Sequence, residues 1–166
     1  MYDQFLPLVL FGIATAFTPG PNNIMSSFQE KTNGDPKGML GFVLSVFPAL
    51  RDWKEASLRQ GELFDIQLAS SALTAANQCI TDGINIHDEG LWKESLRTKV
   101  DYLLALCNQS KSFRPLMGSE HQFAFYMNDM LSVDSVGVDY TELLLLSVLI
   151  VLMLQESMTI QNISNI

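Results

Sequence analysis

The residues of this chain that are best suited to bind a substrate form a short break directly after an apolar run. Two prolines flank a glycine there. Each proline lacks a backbone N–H and clashes with the preceding turn, while the glycine admits dihedrals that other residues avoid. A membrane-type helix broken in this way exposes backbone carbonyls, and two following asparagines add amide donors and acceptors. The pattern predicts a substrate-binding element made of Pro19, Gly20, Pro21, Asn22 and Asn23.

Three apolar segments must position this element: residues 5–18, 39–50 and 143–154. A straight membrane span needs about 20 apolar residues, so each segment fits a buried core helix as well as a membrane helix. The first segment also has the small-x-small ending of a signal peptide at Ala14–Ala16. Its start carries Asp3 and no Lys or Arg, which favours a retained segment over a cleaved one.

The middle of the chain predicts amphipathic helices. Apolar residues recur at spacings of three and four along one face of residues 66–80, and Asp82-Gly83 supplies a stop signal. A second face runs from Trp92 to Cys107, and a third helix is expected to begin at Ser119. The face residues are Ile66, Ala69, Leu73, Ala76 and Ile80, then Trp92, Leu96, Val100, Leu103 and Cys107, then Phe123, Tyr126, Met127 and Met130.

The pattern of the remaining reactive side chains does not indicate an enzyme. His87-Asp88-Glu89 and Glu120-His121 have metal or acid–base potential, but no spacing joins them into a ligand set, so no metal and no cofactor are expected. Cys79 and Cys107 predict two reduced, partly buried thiols, with one disulfide as the alternative. Nucleophile and phosphate-binding motifs are missing from the sequence.

Two carboxylates at the start of the last apolar segment allow two interpretations. Asp139 and Glu142 could meet a cationic substrate, but capping and the helix dipole explain acidic residues at a helix start. We therefore expect them to cap that helix.

Composition excludes some partners. The formal net charge of −8 argues against nucleic acid, because phosphate binding requires clustered Lys and Arg. A hydrophobic content of 48% with 17% charged residues describes a chain that is membrane-like at its ends and soluble-like in its middle. The composition changes at Leu50–Arg51, which predicts a hydrophobic segment over residues 1–50 and a helical region over residues 51–166.

The N-terminal residues resemble a known family. Phe5-Leu-Pro-Leu-Val-Leu-Phe-Gly, then Phe17-Thr-Pro-Gly-Pro-Asn-Asn-Ile-Met, is similar to the start of the LysE/RhtB-type amino-acid exporters. Pro36-Lys-Gly-Met-Leu-Gly-Phe is similar to the entry into that family's second helix. The resemblance covers about residues 5–48. It implies a bacterial inner-membrane protein that exports small amino acids, with Pro19–Asn23 at the substrate and coupling to a proton gradient.

The sequence thus predicts an all-α fold with a broken N-terminal membrane-type helix and an amphipathic helical remainder. One reading is an amino-acid efflux transporter, truncated, divergent or recombined after its second helix, in contact with lipid. Gly12 and Ala16 would then allow close helix packing, including with a second copy. The other reading is a non-catalytic helical protein, soluble or peripheral and cytoplasmic, without transport activity and of chimeric or artificial origin.

Overall fold

The protein is all-α. The computed structural model describes residues 36–133 and 139–164. In these ranges there are six α-helices, one short 3₁₀-helix and no strand. The helices are α1 (Pro36–Leu44), α2 (Val46–Gln60), α3 (Ile66–Asn85), α4 (Glu89–Ser110), α5 (Ser119–Val133) and α6 (Tyr140–Ser164), and the 3₁₀-helix is Arg114–Leu116.

Prolines and a glycine set the limits of the first two helices. Pro36 is the first residue of α1, where its missing N–H costs nothing. A break at Ser45 separates α1 from α2, and Pro48 falls in the first turn of α2, where a proline is tolerated. Gly61 ends α2 in a left-handed conformation, with φ 70°.

The change of composition at Leu50–Arg51 falls inside α2. Before it, Val46, Pro48 and Ala49 are buried, and after it most of the helix is exposed. The apolar and charged stretches are therefore two parts of one helix, which is buried at its start and mostly exposed after Leu50. All of the described residues belong to one compact unit.

Aspartates begin α3 and α4. Asp65 accepts hydrogen bonds from the amides of Gln67 and Leu68, both at 3.0 Å. Asp88 accepts one from the amide of Leu91 at 2.9 Å. Both are N-caps, which satisfy amides that the helix itself leaves unpaired.

The predicted face of α3 is confirmed at Ala69 and Ala76 and is wrong at its other three positions, whereas that of α4 is confirmed except at the half-buried Trp92. In α3, Ile66 is 73% exposed, and Leu73 and Ile80 are 39% and 43% exposed. The buried stripe is mostly alanine, because α3 and α4 approach closely there. It consists of Leu68, Ala69, Ala72, Ala75, Ala76 and Cys79.

The expected stop at Asp82-Gly83 is also wrong, since α3 continues to Asn85. Asp82 accepts a hydrogen bond from the Ser95 hydroxyl at 2.6 Å and pairs with Lys99 at 3.4 Å. Its side chain therefore joins α3 to α4 instead of ending a helix.

The last helix packs against α1 and α5. At Gly41 of α1, an added Cβ would lie 3.3 Å from the backbone nitrogen of Leu145, so the missing side chain permits close approach. Lys37 and Glu142 form an exposed ion pair at 3.0 Å near the starts of these two helices. Farther along, Arg51 donates to the Gln155 carbonyl oxygen at 2.7 Å.

The α2–α3 junction packs around Trp53. Its indole Nε1 donates to the Leu63 carbonyl oxygen at 2.9 Å, and its ring contacts Phe64 with centroids 4.7 Å apart. Leu68 and Ala69 complete this cluster. The junction is thereby fixed next to the Asp65 cap.

We expect Asp65→Ala to lower the free energy of unfolding by about 0.5–2 kcal/mol, because two amides at the start of α3 lose their acceptor. Asp65→Asn is the matched control, since its amide oxygen can still accept both bonds. Urea denaturation of the three proteins measures the difference. Equal stability of the Ala and wild-type chains would contradict a capping role.

Candidate functional site

The start of α5 is the most polar buried place among the described residues. Four elements meet there: α2, the 3₁₀-helix, α5 and α6. Asp52 comes from α2, Glu120 and His121 from the first turn of α5, and Tyr140 and Gln155 from α6.

Asp52 satisfies two donors at once. One carboxylate oxygen accepts the Ser119 amide at 2.7 Å, and the other accepts the Gln155 side-chain amide at 2.9 Å. The first bond caps α5 from a different helix.

Glu120 is completely buried. One of its oxygens accepts the Gly118 amide at 2.8 Å, and the other, Oε2, makes no hydrogen bond. Burial raises the pKa of the Glu120 carboxyl to about 8; the nearby Asp52 charge acts in the same direction, and the amides of Gly118 and Glu120 itself oppose them. Glu120 is therefore mostly a neutral carboxylic acid at pH 7.

Gly118 makes room for both carboxyl groups. A Cβ at this position would lie 2.6 Å from Oε2 of Glu120, 2.8 Å from Oδ2 of Asp52 and 2.7 Å from Cα of Ala49. No side chain fits in that space without displacing the backbone of α2. We call Asp52 and Glu120, gathered around Gly118, the carboxyl pair.

His121 is buried beside the carboxyl pair and remains neutral. Its Nδ1 shares a hydrogen bond with the Tyr140 hydroxyl at 3.0 Å, and its Nε2 lies 4.0 Å from Oε1 of Glu120. Burial lowers the pKa of the His121 imidazole to about 4, although the Leu116 backbone acts in the opposite direction. The Tyr140 ring is held by stacking on Phe125 at 5.0 Å.

Neighbouring charges are already paired. Arg114 on the 3₁₀-helix binds Glu62 through two guanidinium nitrogens, and this bond lowers the pKa of Glu62. The Asp52 charge is also near enough to contribute, after Glu62, to raising the pKa of Arg114. Within residues 36–133 and 139–164, no three His, Cys, Asp or Glu side chains are placed to hold a metal ion. The chemistry that this arrangement allows is the binding and release of a proton.

A second feature is the outward face of α6. The only charged residues in α6 are Glu142 and Glu156, so residues 143–155 form an uncharged stretch of about 20 Å at 1.5 Å per residue. The outward side of this stretch is largely exposed: Leu146 47%, Leu149 51%, Met153 71% and Leu154 56%. We call these four residues the outer face of α6.

By length and composition α6 is able to cross a membrane. The window Tyr140–Ser157 has a mean hydropathy of 1.5, and a third of it is buried against the rest of the protein. Among the described helices it is the one that meets this criterion. Core helices of soluble proteins meet the same criterion, so the property is a capacity and not a location.

The structure tests only some of the predicted site residues. Pro19, Gly20, Pro21, Asn22 and Asn23 lie outside the described residues, as do Gly12 and Ala16. His87 is exposed on the loop before α4, far along the chain from the buried His121.

The two cysteines and the acidic residues at the start of α6 are described. Cys79 and Cys107 are free and buried, and burial raises their pKa values to about 11 and about 12. Asp139 accepts the Thr141 amide at 3.1 Å, which confirms its expected capping role.

Sequence reasoning missed Asp52 and the burial of the α5 start. The expected core face of α5 is wrong: Tyr126 and Met130 are 61% and 55% exposed, while Glu120, His121 and Ala124 are buried. Hydrophobic periodicity cannot find a face made of a glutamate and a histidine. The available signal was the Gly118-Ser119-Glu120 sequence at a helix start.

Comparison with known proteins adds no relative. Neither a scan against protein-family models nor a search of curated proteins returns a match.

We expect protonation of His121 to destabilise the fold in mild acid. Its folded pKa of about 4 lies below the ordinary value of 6.5, so the unfolded chain takes up the proton first as the pH falls. The His121 contribution is complete above pH 6.5 and is lost toward pH 4, at about 1.4 kcal/mol per pH unit and about 3 kcal/mol in all.

Glu120 acts in the opposite direction over part of this range, so the comparison needs a variant. Urea denaturation of wild type and His121→Asn from pH 4 to 7 isolates the His121 contribution as the difference between the two curves. His87→Gln replaces the exposed histidine and serves as control. Parallel curves for wild type and His121→Asn would contradict the assignment.

Proposed function

We propose that this chain is a membrane-attached helical transport protein that moves small amino acids out of a bacterial cell across its inner membrane. The observation that carries the membrane part is the outer face of α6. Four large apolar side chains stand exposed on a helix whose central thirteen residues carry no charge. Hydrocarbon lipid is the partner that best suits such a face, since water solvates it poorly.

The lipid that suits α6 is zwitterionic. The residues bounding the uncharged stretch are Glu142 and Glu156, and the whole chain carries a formal net charge of −8. Anionic headgroups attract Lys and Arg, and neither residue occurs in α6. Attachment would therefore depend on apolar burial and would gain nothing from negatively charged lipid.

The transport part of the proposal depends on Pro19–Asn23. Their order, proline–glycine–proline followed by two amides, supports a broken helix that offers carbonyls to an ammonium group and amide donors to a carboxylate. The apolar run from Phe5 to Thr18 precedes this element directly. A second copy of the chain, packed through Gly12 and Ala16, belongs to the same proposal.

A second candidate is a non-catalytic helical protein that is soluble or peripheral. It is favoured by the inner side of α6, where Leu143, Leu144, Val148 and Val151 are buried. Polar contacts also tie α6 to α1 at Glu142 and to α2 at Gln155. On this view α6 is the central helix of a core, and its outer face is covered by protein.

Membrane extraction separates the two candidates. We expect the wild-type chain to stay in the membrane pellet after carbonate extraction. Combining Leu146→Lys with Leu149→Lys should release it, because each lysine in the middle of a membrane helix costs about 2.5–3.5 kcal/mol. Leu63→Lys, at an 86% exposed leucine between α2 and α3, is the control and should not change the fraction.

Wild-type protein in the carbonate supernatant would contradict the membrane proposal and leave the second candidate. Flotation with vesicles of phosphatidylcholine, with and without phosphatidylglycerol, tests the lipid preference. Stronger flotation with the anionic lipid would contradict attachment by apolar burial alone.

The transport proposal has its own test. Asn22→Ala should reduce the export of preloaded, isotope-labelled amino acids from cells while the amount of protein stays unchanged, because one amide of the substrate element is lost. Asn77→Ala removes an exposed amide on α3, away from the resemblance, and is the control. Unchanged export by the Asn22 variant would exclude Asn22 from the substrate site.

A further inference from the structure

We propose that Asp52 and Glu120 form a proton-binding site that fastens the start of α5 to α2 as long as one proton is bound. The ligand is a single exchangeable proton carried by Glu120. This proposal stands on the contacts around Gly118 and holds whether or not α6 faces lipid.

Three donors bond to the carboxyl pair, and Nε2 of His121 lies 4.0 Å from Oε1 of Glu120 without a hydrogen bond of its own. The Gly118 amide bonds to Oε1 of Glu120, while the Ser119 amide and the Gln155 side chain bond to the two oxygens of Asp52. Oε2 of Glu120 is left without a hydrogen bond, although it is completely buried. A buried carboxylate oxygen without a donor is costly, whereas a protonated one is not charged.

The two carboxyl groups also approach each other. Oε2 of Glu120 and Oδ2 of Asp52 both lie within 2.8 Å of the point where a Gly118 Cβ would stand. Because Glu120 is completely buried next to the half-buried Asp52, ionisation of both carboxyl groups is costly, so one of them keeps a proton. Both oxygens of Asp52 accept a hydrogen bond, whereas Oε2 of the completely buried Glu120 accepts none, which makes Glu120 the proton carrier.

Other charged groups facing the site do not replace the proton. On α5, His121 is neutral and bonds to the Tyr140 hydroxyl of α6. On the 3₁₀-helix, Arg114 is bound to Glu62. On α2, Arg51 donates to the Gln155 carbonyl oxygen. None of these supplies a cation to Oε2 of Glu120.

Release of the proton has a structural consequence. The O–H bond of Glu120 breaks, the proton passes to water or hydroxide, and its electron pair stays on Oε2. Two negative charges then lie beside Gly118, in a crowded place that also holds the backbone of Ala49. The start of α5 must move away from α2, which breaks the bond between the Ser119 amide and Asp52.

Carboxyl-carbon NMR of the full-length, isotope-labelled protein, in detergent if it is membrane-bound, tests the site directly. We expect the Glu120 signal to titrate above pH 7, and its apparent pKa to fall by about one unit or more in Asp52→Asn, which removes the charge and keeps an acceptor oxygen for one of the two hydrogen bonds. Titration of Glu120 below pH 6 in the wild type, or no change in Asp52→Asn, would overturn the proposal.

Hydrogen exchange measured by mass spectrometry tests whether the bound proton keeps the start of α5 attached to Asp52 of α2. Between pH 7 and pH 9 the protection of residues 118–121 should fall about tenfold after correction for the base dependence of exchange itself, because one pH unit above the pKa is a tenfold change. Glu120→Gln should remove this pH dependence. Glu94→Gln, an exposed carboxylate on α4, should keep it, and loss of the dependence in that control would overturn the assignment.

Replacing sodium chloride with choline chloride distinguishes a proton from a metal cation. Equal Glu120 titrations in the two salts support a proton site. A titration that shifts to lower pH with sodium would identify sodium as the competing ligand and overturn the proposal. The wild-type titration does not depend on whether any variant folds.

Discussion

One carboxylate, Asp52, connects three helices. It caps α5 through the Ser119 amide and holds α6 through Gln155, while its own helix supplies the buried end of the α1–α2 pair. Helix starts leave amide groups unpaired, and the start of α5 is buried where water cannot serve them. The placement of α5, and with it of Glu120, His121 and Ala124, therefore depends on this acceptor. Gly118 is the steric condition for it, since any larger residue would occupy the place of the carboxylate oxygens.

The two sides of α6 impose different requirements. Its inner side is closely packed, because Gly41 of α1 has no side chain to keep the Leu145 backbone away. The buried Ser147 hydroxyl is satisfied within α6, where it donates to the Leu143 carbonyl oxygen. The four residues of its outer face are 47% to 71% exposed among the described residues. A helix that is packed on one side and apolar on the other is able to stand between a protein and a second apolar medium, and the core helix of a soluble protein has the same properties. That arrangement motivates the choice of lipid over water as the surrounding of Leu149 and Met153.

Much of the fold follows from local rules in the sequence. Aspartate caps place the starts of α3 and α4, Pro36 begins α1, and the stripe from Leu96 to Cys107 identifies the inner side of α4. The limits appear where tertiary contacts outweigh local pattern. Asp82 resembles a helix stop but joins Ser95 and Lys99 across two helices.

Most of the candidate site could not be predicted from the sequence, again because it is made by tertiary contacts. Glu120 and Asp52 are 68 positions apart, and each alone looks like a solvated surface acid. Alanines form the inner stripe of α3 because a close neighbour excludes Ile66 and Ile80, and that neighbour is invisible to periodicity. Local pattern predicts which segments are helices, but it does not predict which side of each helix meets another one.

The two thiols give the α3–α4 layer a chemical reporter of its own. Cys79 and Cys107 are 2% and 0% exposed, and burial keeps both protonated well above neutral pH. A folded chain therefore has almost no thiolate for an alkylating reagent to attack. Labelling of either cysteine records separation of α3 from α4, an event distinct from any movement at the start of α5. Slow labelling would mean that these helices stay together as a unit while other parts of the molecule open.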